Sequence, residues 1–163
     1  QYIYIKYIIM NKIILRMRNT LSFFALPAAW ICGVRVDSII KDKCVVRVKH
    51  RWINQNPFKS LFWAVQGMAA EMAGGLLLMN KINKSGQSIA MLLVGSSSVF
   101  TKKATGKILF TYDQGEDLDK LIIDAVTTKL PQTIIIKTKG VNEKGDVVSE
   151  FSFDWSIKLR SKR

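Results

Sequence analysis

Residues 56–79 read NPFKSLFWAVQGMAAEMAGGLLLM, a nearly uncharged stretch that predicts one long helix from about Phe58 to about Asn80. Large apolar residues recur at the spacing of a buried stripe: Leu61, Phe62, Val65, Met68, Met72, Leu76 and Met79. A second face carries small or polar residues around one carboxylate: Ser60, Ala64, Gly67, Glu71, Gly74 and Gly75. Because a lone buried charge is costly without partners or a task, Glu71 is the residue that most needs an explanation.

The segment in front of this helix predicts how the helix begins. Asn56 has a side-chain oxygen suited to the free backbone N–H groups of a first turn, so we expect it to be the N-cap. Pro57 suits the first helical turn, where no backbone hydrogen is needed.

The regions on both sides of the helix favour strands. The segments that alternate or run apolar in the manner of strands are residues 34–40, 44–50, 88–102, 107–113, 131–139 and 147–159. The run at 88–102 predicts a strand buried on both faces, and residues 116–129 have the spacing of a second helix. We therefore predict an α+β domain in which an antiparallel sheet of about five or six strands wraps around the long helix.

The amino-acid composition limits the classes of partner and site that this chain is expected to have. The chain has 163 residues and a net charge of +13, which fits one domain and favours polyanionic partners such as anionic lipid or phosphate-bearing molecules. Nucleic acid is disfavoured because no helix-turn-helix, zinc finger or RNP-like motif accompanies the charge. With a single histidine and two separate cysteines, we expect no metal site.

The N-terminal part predicts a helical extension over residues 1–33, ahead of a main domain at 34–163. Met10-Asn11-Lys12 is typical of a true start, so we interpret residues 1–9 as a candidate non-native extension. Basic residues followed by the uncharged run 19–34 allow three readings, in this order of preference. The segment packs on the domain, lies on a membrane surface, or serves as an export signal.

The order of elements, with Asn56 and Glu71 bracketing the helix start, resembles the hotdog fold of acyl-CoA thioesterases. The best likeness is to the bacterial branch described as a domain of unknown function (DUF4442-type). Its local matches are residues 56–75 and the stretch SSVFTKKATGK at 97–107. The resemblance implies an acyl-CoA or other acyl thioester as substrate, with coenzyme A as part of the substrate and no separate cofactor. It also implies a homodimer or dimer of dimers, with the site between subunits, in a cytoplasmic protein or one peripheral to the inner membrane.

The same resemblance suggests roles for residues. In relatives an asparagine precedes His-Gly-Gly, and an acid follows; here Asn56 and Glu71 match, while Trp63-Ala64 replaces the glycines. Glu71 is then the candidate base, and Asn56 with helix-start N–H groups the candidate positioning elements. The candidate substrate-binding residues are Ser60, Gln66, Trp63, Ser97, Lys102 and Lys103, the lysines for coenzyme A phosphates.

Other readings of these residues stay open. Glu71 is also interpreted as a structural residue that hydrogen-bonds to a loop or a partner subunit. Gln66 is also interpreted as an interface residue, and the lysines as part of a solvated turn. As a whole, the chain is also compatible with a non-catalytic acyl- or lipid-binding hotdog protein, or with a basic protein held at a membrane surface.

Overall fold

The computed structural model describes the backbone of residues 2–160 and the side chains of residues 13–160. Its helices are α1 (Tyr2–Ala25), α2 (Pro27–Ile31), α3 (Trp63–Ser85) and α4 (Gly115–Thr128). Its strands are β1 (Arg35–Ile39), β2 (Cys44–Lys49), β3 (Ile89–Phe100), β4 (Lys107–Tyr112), β5 (Gln132–Asn142) and β6 (Val147–Leu159). The strands form one antiparallel sheet in the order β1-β2-β4-β5-β6-β3, packed against α3. The predicted α+β class, with six strands around one long helix, is confirmed.

Two predictions concern the first part of the chain: a helical extension over residues 1–33 and a non-native segment at residues 1–9. Residues 2–31 form α1 and α2, ahead of the first strand. Residue 1 and the side chains of residues 2–12 lie outside the described part, and the interpretation of residues 1–9 as a non-native extension stays a prediction. Across the helices that are described, none has the length and apolar character needed to cross a membrane.

The packed face of α3 differs from the predicted stripe. Phe62 and Met79 are 40% and 42% exposed. The residues of α3 that are buried include many small ones: Val65, Gln66, Ala69, Ala70, Met72, Ala73, Gly74, Gly75, Leu77, Leu78, Lys81 and Ile82. Small side chains let the helix lie close to the sheet. Of the predicted stripe, Leu61, Val65 and Met72 are buried in the core, whereas Phe62 and Met79 are not. On a helix this apolar, periodicity alone does not identify the face that the sheet covers.

The helix begins at Trp63, not at Phe58, and ends at Ser85, so the predicted N-cap is wrong. The N-cap position is Phe62, with no side-chain cap. Asn56 instead closes a turn: its Oδ1 accepts hydrogen bonds from the backbone N of Phe58 (3.0 Å) and of Ser60 (3.1 Å). Lys59 in that turn has φ +58°, a conformation incompatible with a helical first turn.

The strand β3 is not buried on both faces, contrary to prediction. It pairs only with β6, and its outer edge has no pairing strand within residues 2–160. Leu92, Val94 and Val99 are 65%, 57% and 63% exposed. An apolar run predicts burial, but it does not distinguish a central strand from an edge strand whose apolar side chains are partly exposed.

The opposite edge of the sheet is closed by a side chain of α1. The amide of Asn19 accepts a hydrogen bond from the backbone N of Val36 at 2.9 Å and donates one to its carbonyl at 2.9 Å. These two bonds imitate the pairing that a neighbouring strand would give to β1. They also fix the face of α1 that is turned toward the domain.

Lys81, which sequence reasoning did not single out, forms ion pairs that hold the second half of α3 to neighbouring elements. Its side chain is buried, and Nζ lies 2.9 Å from Asp42 Oδ1 and 2.6 Å from Asp119 Oδ2. Burial alone would lower the pKa of Lys81, but the hydrogen bonds to Asp119 and Asp42 outweigh it and raise that pKa. The ammonium therefore stays charged and links α3 to α4 and to the β1–β2 turn.

Candidate functional site

A first cavity, of about 350 Å³, lies at the beginning of α3. Its lining consists of Asn56, Phe58, Ser60, Leu61, Trp63, Gln66, Phe100, Thr101, Lys102, Lys103 and Ala104. The fold thus brings together all the predicted site residues except Glu71 and Ser97. We call this space the helix-start cavity.

The polar side chains at the base of the helix-start cavity bond to their own chain. Ser60 Oγ donates to Asn56 Oδ1 at 3.2 Å. The buried Gln66 donates from Nε2 to the carbonyl of Leu61 at 3.1 Å and accepts from Ser149 Oγ at 2.8 Å. These bonds satisfy groups that would otherwise be costly to bury, and they hold the chain in front of α3 in one conformation.

Free backbone donors point out of the first turn of α3. Phe62 N donates to the carbonyl of Asn54 at 2.9 Å, while Val65 and Gln66 donate to the carbonyl of Phe62. Trp63 and Ala64 lie between them, and their N–H groups have no acceptor among the described residues. Unpaired N–H groups at a helix start attract partial or full negative charge.

The rim of the helix-start cavity is aromatic and basic. Phe58 and Trp63 are 73% and 59% exposed. Lys102 Nζ lies 2.8 Å from Asp146 Oδ1 on the surface, and Lys103 Nζ donates to the carbonyl of Phe58 at 3.4 Å. Both ammonium groups are exposed, so they remain accessible to an anion.

A second cavity, of about 530 Å³, separates α1 from α3, and we call it the Glu71 cavity. Its lining is largely apolar and comes from both helices and three strands: Arg18, Leu21, Ser22, Ala25, Leu26, Val36, Glu71, Met72, Gly75, Leu76, Met79, Met91 and Trp155. A volume of this size with few polar groups is typical of a small-molecule site.

Glu71 is the acidic group of this second cavity. A methyl group placed on Gly75 would lie 2.8 Å from Glu71 Oε1 and 3.2 Å from the Trp155 ring, so the carboxylate rests over Gly75 beside that ring. Within residues 13–160, Glu71 makes no hydrogen bond or ion pair, and the buried Trp155 Nε1 also has no partner. Burial raises the pKa of Glu71 above its usual range.

Sequence reasoning missed that Arg18 and Trp155 line the same cavity as Glu71. Arg18 was visible only as one of several basic residues, and Trp155 as one inward position of a strand. Both are far from Glu71 along the chain. Only the packing of α1 and β6 around α3 brings the three residues to one cavity.

The predicted site residues therefore divide into separate groups. Gln66 and Glu71 are five positions apart, about 7.5 Å along the helix and about 140° around it, so they face different cavities. Ser97 is exposed on β3 opposite Ser152, and it lines neither cavity. No group of three potential His, Cys, Asp or Glu metal ligands occurs in the part of the chain that the structure describes.

Comparison with solved structures places this architecture in the hotdog fold. A Pseudomonas aeruginosa protein of unknown function, described as a probable thioesterase, is 17% identical with a TM-score of 0.78, over 89% of this chain and 95% of that one. A Chlorobaculum tepidum protein of unknown function is 13% identical with a TM-score of 0.76, over 92% and 97%. A Haemophilus influenzae thioesterase is 12% identical with a TM-score of 0.62, over 91% and 93%. At sequence identities this low, the structural similarity shows that the proteins share a fold.

The sequence comparisons agree with the fold. No curated protein matches the chain. The model of the family described as a domain of unknown function (DUF4442) matches residues 16–157, which include the last ten residues of α1, all of α3, strands β1 to β5 and β6 except its last two residues. The chain is a hotdog-fold member of the DUF4442 family.

Proposed function

We propose that this protein binds and hydrolyses an acyl thioester, with the acyl chain in the Glu71 cavity and Glu71 as the general base. The observation that carries the proposal is a carboxylate without a partner among residues 13–160 and with a raised pKa, in the wall of a cavity of about 530 Å³ that is otherwise largely apolar. A flexible alkyl chain fits walls of Met72, Met79 and Met91, because methionine adapts its shape to its neighbours.

The reaction needs a base and an oxyanion donor near one thioester carbonyl. Glu71 takes a proton from water, whose oxygen attacks the carbonyl carbon; the C–S bond then breaks and the departing thiolate receives the proton. The free N–H groups of Trp63 and Ala64 are the candidate donors for the developing oxyanion. Since Trp63 lines the helix-start cavity and Glu71 lines the other cavity of the same chain, we propose that a second chain completes the site.

An open sheet edge supports such a dimer. Asn19 occupies the edge of β1, whereas the outer edge of β3 has no pairing strand among residues 2–160 and carries exposed Leu92, Val94 and Val99. Pairing of β3 with β3 of a second copy would continue the sheet and cover these side chains.

We expect Val94→Lys/Val99→Lys to convert a dimer into a monomer, because each lysine places a charge on the proposed interface. Light scattering after size exclusion gives the mass directly. The matched control is Ile135→Lys, at a 58% exposed position on the central strand β5. A wild-type monomer, or a dimer that persists in the double variant, would contradict this interface.

The function itself is tested with purified protein and a panel of acyl-CoAs of increasing chain length, following released thiol. Hydrolysis above the uncatalysed rate, increasing with chain length until the cavity is full, is the expected result. A rate equal to background for every thioester would exclude the enzymatic proposal.

Lys102 and Lys103 suit the phosphates of coenzyme A at the mouth of the helix-start cavity. We expect Lys102→Ala/Lys103→Ala to raise KM for acyl-CoA by about tenfold, since each exposed contact to a phosphate contributes of the order of 0.5–1 kcal/mol. KM for the corresponding acyl-pantetheine, which lacks those phosphates, should not change. Lys137→Ala/Lys158→Ala removes two exposed charges elsewhere on the sheet and is the control. An equal effect on both substrates would argue against phosphate binding here.

A second candidate function is non-catalytic binding of an acyl chain. It is favoured by Trp63, which lines the helix-start cavity at the position where the resemblance implies a glycine. Asn56 and Gln66 are also bonded within the chain. This function predicts saturable binding of a fluorescent fatty acid without any release of thiol from acyl-CoA.

A further inference from the structure

The outer face of α1 is apolar where a helix on a protein surface is normally polar. Its exposed side chains are Ile13 at 52%, Ile14 at 55%, Met17 at 60%, Leu21 at 61% and Phe24 at 79%. At about 100° per residue, these five positions fall within an arc of about 100° and form one continuous stripe. We call them the α1 stripe.

The orientation of α1 is set by its other face. Asn19 holds the edge of β1 through two hydrogen bonds, and its carbonyl accepts one from Trp30 Nε1 at 2.9 Å. Leu15 packs against the core on the same side. The α1 stripe therefore cannot turn inward without the loss of these contacts, and described residues of its own chain leave it exposed.

The charges beside the α1 stripe indicate what it contacts. The exposed Arg16 lies on one side of the stripe, about 110° from its centre line, whereas Arg18 on the other side is half-buried and lines the Glu71 cavity. No acidic residue occurs in the sequence before Asp37, whereas the basic residues there are Lys6, Lys12, Arg16, Arg18 and Arg35. An exposed apolar stripe beside an exposed arginine, in a segment without acidic residues, matches an anionic lipid surface, in which apolar side chains enter the acyl boundary and a guanidinium group meets phosphates.

We propose that α1 docks this protein on the surface of an anionic phospholipid bilayer, with the α1 stripe facing the lipid and Arg16 at the headgroups. The proposal goes beyond the thioesterase function and holds whether or not Glu71 is catalytic. Leu21 belongs to both the α1 stripe and the lining of the Glu71 cavity, so docking would bring the mouth of that cavity to the bilayer.

The test is co-sedimentation of the full chain with vesicles of phosphatidylcholine, alone or mixed with phosphatidylglycerol. We expect binding to the anionic vesicles that weakens in high salt, because surface electrostatics are screened. Met17→Ser/Phe24→Ser should reduce the affinity at least about tenfold for the loss of two inserted side chains. Arg16→Glu should reduce affinity about fivefold or more for the anionic vesicles only.

The control is Ile40→Ser/Ile123→Ser, which removes two side chains that are 64% and 61% exposed elsewhere. It should bind vesicles like the wild type, and circular dichroism melts establish that every variant is folded. Vesicle binding that is equal for the wild type and for Met17→Ser/Phe24→Ser would overturn the proposal. So would conversion of an oligomer into a monomer by that variant without any change in vesicle binding, because the stripe would then be an interface between copies of the chain.

Discussion

Glu71→Gln is expected to lower kcat for acyl-CoA hydrolysis by about 10²–10⁴-fold and to leave KM nearly unchanged. The amide keeps the shape of the side chain but cannot take a proton from water, and a positioned base contributes a factor of this size. Initial rates of thiol release, measured on the best substrate of the acyl-CoA panel, give both constants. Glu116→Gln, which changes an exposed carboxylate in the first turn of α4, is the control.

The same substitution should make the folded protein more stable at neutral pH. The pKa of Glu71 is raised in the folded state, so burial of its charged form costs free energy above that pKa. We expect Glu71→Gln to gain up to about 1 kcal/mol, or about 2–4 °C in Tm for a chain of this length. The gain should shrink as the pH falls through the raised pKa and vanish below the ordinary pKa of the unfolded state, where both states are protonated.

The kcat and the Tm of Glu71→Gln together distinguish a catalytic role of Glu71 from a structural one. Lost activity with increased stability identifies a site residue kept at a cost to folding. A lower Tm at neutral pH would instead mean that the carboxylate makes a stabilising contact. Equal background rates for the wild type and Glu71→Gln would remove the catalytic role and leave acyl binding as the function to test.

Gly74→Ala is expected to destabilise the protein by about 1–3 kcal/mol, the usual cost of forcing an extra methyl group into a packed core. A Cβ at this position would overlap Ile136 Cγ2 and lie 3.3 Å from its Cδ1. Ile136 is completely buried on β5, so it has no space into which to retreat. Thermal and urea unfolding followed by circular dichroism measure the change.

Gly67→Ala, in the same helix, is the matched control. Its Cβ would meet only Phe151 Cε1, at 3.5 Å, which is an ordinary van der Waals contact. Because alanine favours the helix over glycine, this variant should gain about 0.5–1 kcal/mol. If both substitutions changed stability by the same amount, the close approach of α3 to β5 at Gly74 would not be a constraint on the fold.

Much of the fold follows from local patterns in the sequence. Alternation in residues 44–50 and 147–159 predicts strands that the structure has at Cys44–Lys49 and Val147–Leu159. The spacing in residues 116–129 predicts α4 nearly to its ends. These predictions succeed because side-chain period and backbone geometry are properties of neighbouring residues, and few tertiary contacts are needed to express them.

Two predictions from the sequence, the N-cap at Asn56 and the burial of β3, are wrong for identifiable physical reasons. Asn56 has the chemistry of an N-cap, but the turn at Lys59 and the bond from Leu61 N to the carbonyl of Ala104 delay the helix to Trp63. The apolar run of β3 predicts burial, yet its position in the sheet leaves it at an edge. In each case the arrangement of the whole fold, a hydrogen bond to Ala104 or a place at the sheet edge, decides what the local pattern cannot.

For the candidate site, the amino-acid pattern alone was enough to single out Glu71, because one carboxylate on a nearly uncharged helix is visible without any structure. What the pattern could not contain was the surroundings of that carboxylate. Arg18 and Trp155 line the cavity of Glu71 only because α1 and β6 pack on α3, and Asn56 lines a different cavity. The chemistry of a side chain is local, whereas its burial, its pKa and its neighbours depend on segments that only folding brings together.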